Sequence, residues 1–482
     1  MGLIDSADPM SNRCFDIIMP ESEPIGDIRD PDSLDPISLG FMCGIEIHQQ
    51  LSSGKLHSRQ PGVLYDGTED QIQNPPRTIA KRRLRAARGE SGTVDVAARF
   101  EEMRNRSFAY LQTPNSGLIE LDEAPPLQID SDALDTTLQI SAMFSAAPVE
   151  KIQTMRKTVV DGSNTSGFQR TTIVATDGQI QADSSQVGID VISLEEDSAR
   201  KLETKRTAIG ETVVYNLDRL GVPLVEVATA PDVRSPEHAK ETALALGRLL
   251  RDTRRVRRGL GSIRQDLNVS ISCGDRVEIK GCQDLDWIPR IIRLEMARQL
   301  HFYRLANELR SEFSLPPLPP DRESDSMPVE NRVELATKKR VPYATHDVTE
   351  LFSECDSDMV SSSLQNGFCI LGISLPGFSG KIGRKTMDEK GSQLPRLGRE
   401  LASSAKLAGV SGIFHSDELP AYGISQTEVN SVRSQLSLPE NDAFVLCMAP
   451  KWQAELAQEL SLIHISEPTR QEAISYAVFC LK

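Results

Sequence analysis

No CxxC pair occurs among the eight cysteines of this 482-residue chain. Scattered cysteines argue against both a zinc knuckle and a disulfide framework. Cys273 and Cys282 could approach each other across a hairpin base, but the expectation is reduced thiols in a cytoplasmic protein. No apolar run approaches the length of a membrane span, so no transmembrane helix is expected. Positive charge is in the minority, and the net charge of -15 argues against a general nucleic-acid coat, though not against a local one. A signal peptide is also missing. The first thirty-five residues hold nine acids against two arginines, without a basic start or an apolar core, and residues 1–38 are expected to form a disordered acidic extension. With 39% hydrophobic and 26% charged residues, the rest has the balance of a soluble globular protein of two or three domains.

The most informative stretch runs from Gly259 to Gln283. Leu267, Val269 and Ile271 alternate with Asn268, Ser270 and Ser272, and Val277 and Ile279 with Arg276, Glu278 and Lys280. This period of two predicts a β-hairpin around Cys273-Gly274-Asp275. A three-residue loop pairs 272 with 276, 270 with 278 and 268 with 280, so the polar residues of both strands share one face. Asp266, Asn268, Glu278 and Lys280 then emerge together, on a solvated outer face or in a site.

Earlier in the chain, Gly40–Leu51 reads as a strand that puts Glu46 and His48 on one face. Residues 80–110 are rich in Ala, Arg and Glu and read as helix interrupted near Gly89. Leu118–Leu121 looks extended, and Asp132–Phe144 reads as helix with a stripe of Leu134, Leu138, Ile140 and Met143. Thr158–Val160 reads as a short strand before a loop of small residues, Asp161–Gly167. Such a loop can present backbone N–H groups to phosphate, although it matches neither of the common nucleotide motifs. A second hairpin is expected to turn at Asp177-Gly178.

Three consecutive acids, Glu195, Glu196 and Asp197, end the next strand. Glu226 is a lone carboxylate inside the apolar strand Leu224–Ala228, where it needs a partner. Ser235-Pro236-Glu237 opens a helix with a serine cap and proline at its first position; Ala239, Ala243, Leu246 and Leu250 form its stripe. Trp287–Glu312 is helical in pattern, and residues 313–335 form a Pro-rich linker. Short strands and helices then recur: strands at 368–373, 412–415 and 442–447, helices at 397–408 and 427–436. They make an α+β module over residues 336–450. Two basic clusters, Lys81 to Arg88 and Arg248 to Arg258, are either solvated helix faces or contacts for a phosphate backbone.

Glu46, Glu195, Glu196, Asp197, Glu226, Asp266 and Glu278 come from different strands. Clustered carboxylates of this kind suit Mg²⁺, with Arg264 and Lys280 as cations for phosphoryl oxygens. ATP-dependent activation of a carboxylate, followed by attack of ammonia on the acyl phosphate, is a chemistry that needs these parts.

The same residues carry a resemblance. CGIEIHQQL, MRKTVVDGSNTSGFQRT, ISLEEDSARKL, DRLGVPLVEVATAPDVRSPEHA and GSIRQDLNVSISCGDRVEIKGCQDL resemble successive blocks of the GatB/GatE family, and the DGSNTSGFQRT wording its archaeal E branch. HDVTELF through RLGRELASSAKLAGVSGIFHSDELPAYGIS resembles the GAD domain. The resemblance implies a catalytic cradle, residues 39–312, of the glutamine synthetase/guanido kinase fold, followed by a GAD module. It implies ATP- and Mg²⁺-dependent conversion of Glu-tRNA(Gln) to Gln-tRNA(Gln), with ammonia from an asparaginase-like partner, the D subunit of a hetero-oligomer. Carried over residue by residue, the metal positions are Glu46, His48, Glu196, Glu226, Asp266 and Glu278, with His48 a ligand or an orienter of one. Glu226, Asp266, Lys280 and Arg264 are the expected catalytic residues. Asp161, Gly162, Ser163, Asn164, Ser166 and Gly167 are expected to meet the nucleotide.

Where relatives often carry cysteines, this chain reads KLHS (Lys55–Ser58), so a metal knuckle is not expected there. Residues 451–460 read as the start of a helical region that relatives continue into a tail domain. Ser461–Lys482 resembles translated adapter DNA, and a non-native tail without function is expected. Two other functions fit the residues: a free-standing carboxylate–ammonia ligase, and a non-catalytic tRNA-binding adaptor. In an adaptor the carboxylates are free to diverge; in either enzyme they converge on one cleft.

Overall fold

The computed structural model describes residues 24–65, 77–83, 106–312 (without 184 and 208–209), 320, 345–451 (without 408 and 411), 453–455, 457 and 476–477. Its organising element is β1 (Met42–Gln50), which lies between β10 (Pro223–Thr229) and β11 (Ile263–Ser270) in a nine-stranded sheet. On one side the sheet continues through β12 (Val277–Lys280) to the two-residue β17 (Tyr476–Ala477). On the other it continues through β7 (Ser185–Glu196) and β6 (Phe168–Ala182), which pairs with β4 (Ala147–Pro148) and β5 (Thr154–Thr158). Ile45, Ile47, Val225, Val227, Leu267 and Val269 share one side of the three central strands, each 0–1% exposed. Burying one such side chain contributes roughly 1.5–3 kcal/mol. Helices α1 (Ser131–Met143), α2 (Pro236–Asp252) and α3 (Ile288–Glu312) supply the partners of that core. Residues of opposite parity, Glu46, His48, Glu226, Arg264 and Asp266, are left on the other side.

A four-stranded sheet sits beside the first, in the order β2 (Arg77–Arg83), β3 (Arg106–Gln112), β9 (Gly210–Asn216) and β8 (Arg200–Thr207). At residues 80–83 and 106–110 it corrects the helix expected over 80–110. Ala, Arg and Glu favour helix only weakly, and Phe108 and Tyr110 gain more by packing with Val213 and Tyr215 in a sheet core. Residues 84–105, with Arg85 and Arg88 of the first basic cluster, lie outside the described residues.

Other differences have local causes. Leu118–Leu121 is a turn, because Glu120 folds back to accept the Gly117 N–H at 2.8 Å. The strand expected at 158–160 ends at Thr158, and the Val159 N–H closes the following loop by donating to Gly167 O. No turn forms at Asp177-Gly178: β6 runs through it, and the missing Cβ of Gly178 admits Ala146. In α1 the deepest residues are Ala133, Thr137, Ile140 and Ser141, whereas Met143 is exposed. Thr137 and Ser141 tolerate burial because their hydroxyls donate to carbonyls one turn back. The serine cap of α2 is present, accepting the His238 N–H at 3.1 Å, and all four stripe residues are buried.

The acidic extension is not disordered up to residue 38. From Pro24 the segment packs on α3, where Arg304 donates to Gly26 O and Pro24 O and Leu34 and Leu39 enter the core. Cys273 and Cys282 are free thiols. Among the described residues no helix is long and apolar enough to cross a membrane.

The second module holds a sheet in the order β13 (Thr345–Asp347), β14 (Cys369–Leu375), β16 (Ala443–Ala449) and β15 (Ile413–His415). Helices α4 (Asp358–Gln365), α5 (Leu397–Leu407) and α6 (Gln426–Gln435) accompany it. The strands and helices expected here from the sequence lie within two residues of those observed, apart from the additional β13 and α4. Almost all of the expected linker lies outside the described residues. The module is keyed to the first domain by charge. Arg290 of α3 pairs with the fully buried Asp388, Arg384 with Glu308 at 2.8 Å, and Lys381 with Glu312 at 2.9 Å.

Candidate metal centre and active site

Register brings the carboxylates together. His48 on β1 stands opposite Glu226 on β10 and opposite Arg264 on β11, and Glu46 stands opposite Asp266. The hairpin of β11 and β12 pairs Asn268 with Glu278 and Leu267 with Ile279, a slip of two residues from the expected register. Its cause is competition for the end of β11: Ser272 N–H donates to Leu39 O, and Ile271 N–H to the Gln299 side chain. A slip of two preserves parity, so Asp266, Glu278 and Lys280 still share a face. Lys280 Nζ lies 2.6 Å from Glu278 and 3.3 Å from Asp266.

Two groups of three donors result. Glu46, Asp266 and Glu278 offer oxygens within 4.8 Å of one another, and His48, Glu195 and Glu226 offer a nitrogen and oxygens within the same span. A side-chain hydrogen bond between Glu46 and Glu226 joins the groups. Each trio already draws an ammonium. Lys280 serves the first, and Lys157 the second, 3.6 Å from Glu195 and 4.0 Å from Glu226. The all-oxygen trio fits a hard cation such as Mg²⁺, and the mixed trio fits Mg²⁺ or Mn²⁺.

Electrostatics bear the marks of crowding. Burial, and then the hydrogen bond and charge of Glu226, push the Glu46 carboxyl up to about 7. Burial also raises Glu195 above the ordinary carboxylate range. Burial holds the His48 imidazole below its usual value despite Glu46 and Asp266, which favours the neutral, ligating form. For Lys280, burial works against the charge, but the hydrogen bond to Glu278 and the Asp266 charge outweigh it and leave the ammonium strengthened.

The three consecutive acids separate by parity. Glu195 points to the cluster and accepts from Thr171 Oγ1 at 3.1 Å. Glu196 points the other way and is gripped by Arg170 at 3.0 and 3.2 Å. Asp197 accepts from Gln50 at 2.7 Å and from Arg264 at 2.8 Å, so it fixes the Arg264 guanidinium beside the site. Parity along a strand is legible in the sequence, but it does not say which of two adjacent glutamates faces inward. Lys157 escaped notice because an exposed lysine on a strand carries no signal of its own.

The loop Asp161–Gly167 is tied to itself and to the second sheet. Ser163 N–H donates to Asp161, Gly167 N–H to Asn164 O, and the Tyr110 hydroxyl to Gly162 O. Asn164, Thr165 and Ser166 line a small chamber with His57, Glu120 and Glu196. Of the second basic cluster, Arg257 turns inward to Leu51 O at 2.9 Å and to Gly62 O.

Comparison with known proteins adds a second line of support. Residues 41–347 match the family model of the GatB/GatE catalytic domain, and residues 360–457 that of the GAD domain. The chain is 43% identical over 430 residues to the glutamyl-tRNA(Gln) amidotransferase E subunit of Pyrococcus furiosus, covering 89% of this chain and 62% of that protein. The same-named proteins of Sulfurisphaera tokodaii and Methanosarcina acetivorans are 40% and 41% identical, with 90% and 89% of this chain and 63% and 61% of theirs covered. The chain thus spans somewhat over three fifths of the length of these relatives.

Proposed function

The chain belongs to the GatB/GatE family, and on that premise we propose that its carboxylate face is the active centre of one component of a glutamyl-tRNA(Gln) amidotransferase. The reaction is phosphorylation by ATP of the γ-carboxylate of glutamate carried on tRNA(Gln), then amidation by ammonia from an asparaginase-like partner, the D subunit. The finer fold assignment, a glutamine synthetase/guanido kinase-like cradle, is part of the same proposal. One observation carries it: acids from five strands meet in two joined trios with Lys157, Lys280 and Arg264 around them.

Glu46, Asp266 and Glu278 would hold one divalent cation, and His48, Glu195 and Glu226 a second. When bound, such cations neutralise the charge of a phosphoryl group in transfer. The chain's own residues do the rest. Arg264, fixed by Asp197, and Lys280 present N–H donors to phosphoryl oxygens. In the cation-free protein Glu46, raised to about 7 by burial and by Glu226, keeps its proton over much of the range up to neutral pH, which lowers the repulsion of carboxylates packed this closely. The loop Asp161–Gly167 packs against the chain just after β7, through Ala199 N–H to Ser163 O, and is proposed to border the nucleotide.

Convergence also supports this function over a tRNA-binding adaptor, in which the carboxylates are free to diverge. The free-standing ligase is separated by substrate. In the assembled enzyme, ATP hydrolysis should be stimulated by Glu-tRNA(Gln) and not by free glutamate, and Glu226→Ala or Asp266→Ala should abolish it with the fold intact. Equal stimulation by free glutamate would overturn the assignment, and normal turnover in either variant would remove that residue from the centre.

A further inference from the structure

The opposite side of the sheet carries a second opening. Thr154 and Arg156 on β5 and Phe168 and Arg170 on β6 have the parity opposite to Lys157, Thr171 and Glu195. They therefore face away from the carboxylates. With residues 126–129 and Leu134 of α1 they bound a cleft of about 790 Å³. That lies within the range of small-molecule sites, roughly 300–1,000 Å³.

Its walls differ in chemistry. On one side the guanidinium groups of Arg156 and Arg170 lie over the Phe168 ring, 5.0 and 5.2 Å from its centre. Arg170 is neutralised by Glu196. Arg156 is exposed and makes no ion pair among the described residues. Pro126, Leu127 and Ile129 add apolar surface to the lining, and Asp122 a carboxylate that makes no ion pair with Arg156 among the described residues. A guanidinium plane in a partly apolar cleft offers a stacking surface for a nucleobase, and a guanidinium without an ion-pair partner suits a phosphate.

The inner wall adds a directional group. His57 is 5% exposed, and its Nδ1 lies 2.8 Å from Leu127 O. Only a donor can face a carbonyl, so in the neutral ring the proton sits on Nδ1 and Nε2 keeps its lone pair. That Nε2 is buried and has no hydrogen-bond partner among the described residues. A buried acceptor left unsatisfied is unfavourable, and a base N–H reaching it from the cleft would relieve it.

We propose that this cleft is a nucleotide-binding site separate from the carboxylate centre. The base stacks on Arg156, one of its N–H groups donates to His57 Nε2, and the edge of Arg156 meets the phosphate. The nucleotide is either a free mononucleotide or the unpaired end of an RNA strand.

Binding of AMP to the full chain, by equilibrium dialysis in EDTA, tests this without metal, ATP hydrolysis or glutamate. Its failure is therefore distinguishable from failure of the proposed reaction. Saturable AMP binding is expected, weakened at least tenfold in Arg156→Ala, while Mn²⁺ binding by that variant matches the wild type. Displacement of AMP by a short oligoribonucleotide ending in adenosine would identify an RNA end as occupant; AMP binding that the oligonucleotide leaves intact would identify a free nucleotide. If neither AMP nor the oligonucleotide binds saturably, or Arg156→Ala binds as tightly as the wild type, the proposal is overturned.

Discussion

Glu46→Gln should stabilise the cation-free protein at neutral and alkaline pH and leave it unchanged in acid. In the folded chain the Glu46 carboxyl is pushed from 4.5 to about 7 by burial and by Glu226. The folded state therefore binds more protons than the unfolded one between those values, and stability falls as pH rises from about 4.5 to about 7. This is the reverse of a carboxylate held by a cation. At about 1.4 kcal/mol per unit, the full shift corresponds to ~3 kcal/mol, and partial exposure trims it to about 2–3 kcal/mol. For a domain of this size that is about 3–5 °C in Tm. Glutamine keeps the shape and the hydrogen bond but has no charge to lose. The assay is the difference in Tm between Glu46→Gln and wild type, in EDTA, from pH 4.5 to 8. It should start near zero and grow through this window in favour of the variant. A difference that does not change with pH would refute the electrostatic account of the cluster.

Two further outcomes follow from the geometry. Glu195→Gln should lose one of the two divalent-cation sites while Glu196→Gln retains both, because only Glu195 faces His48 and Glu226; calorimetric titration with Mn²⁺ checks this, and the opposite result would show that the strand face has been misassigned. Arg290→Ala leaves the buried Asp388 without its cation, a loss of about 3–5 kcal/mol; scanning calorimetry should show the GAD module unfolding earlier and apart from the catalytic domain, and an unchanged profile would mean that the ionic contact does not couple them.

Much of the site was legible because strand periodicity is rigid. Alternation around Glu46 and His48, and parity across the hairpin of Asp266, Glu278 and Lys280, put these residues on one face even though the hairpin slipped by two. Besides the local misreadings, what failed depended on competition from distant partners. Nothing local announces that Leu39 and Gln299 will draw off the end of β11. Phe108 and Tyr110 similarly override the helical composition at residues 106–110 only because β9 brings Val213 and Tyr215 beside them. The two-domain plan was readable for a different reason: its helices and strands carry caps and apolar stripes that point the same way as the tertiary packing.

The most direct test of the central claim is a calorimetric titration of the purified chain with Mn²⁺ at pH 7.5, beside Glu46→Gln and Glu226→Gln. Saturable binding to the wild type, weakened or lost in both variants, is the predicted result, since these residues join the two trios. Binding of the same stoichiometry and affinity in all three proteins would contradict it, and with it the assignment of this face as a metal-dependent phosphoryl-transfer centre.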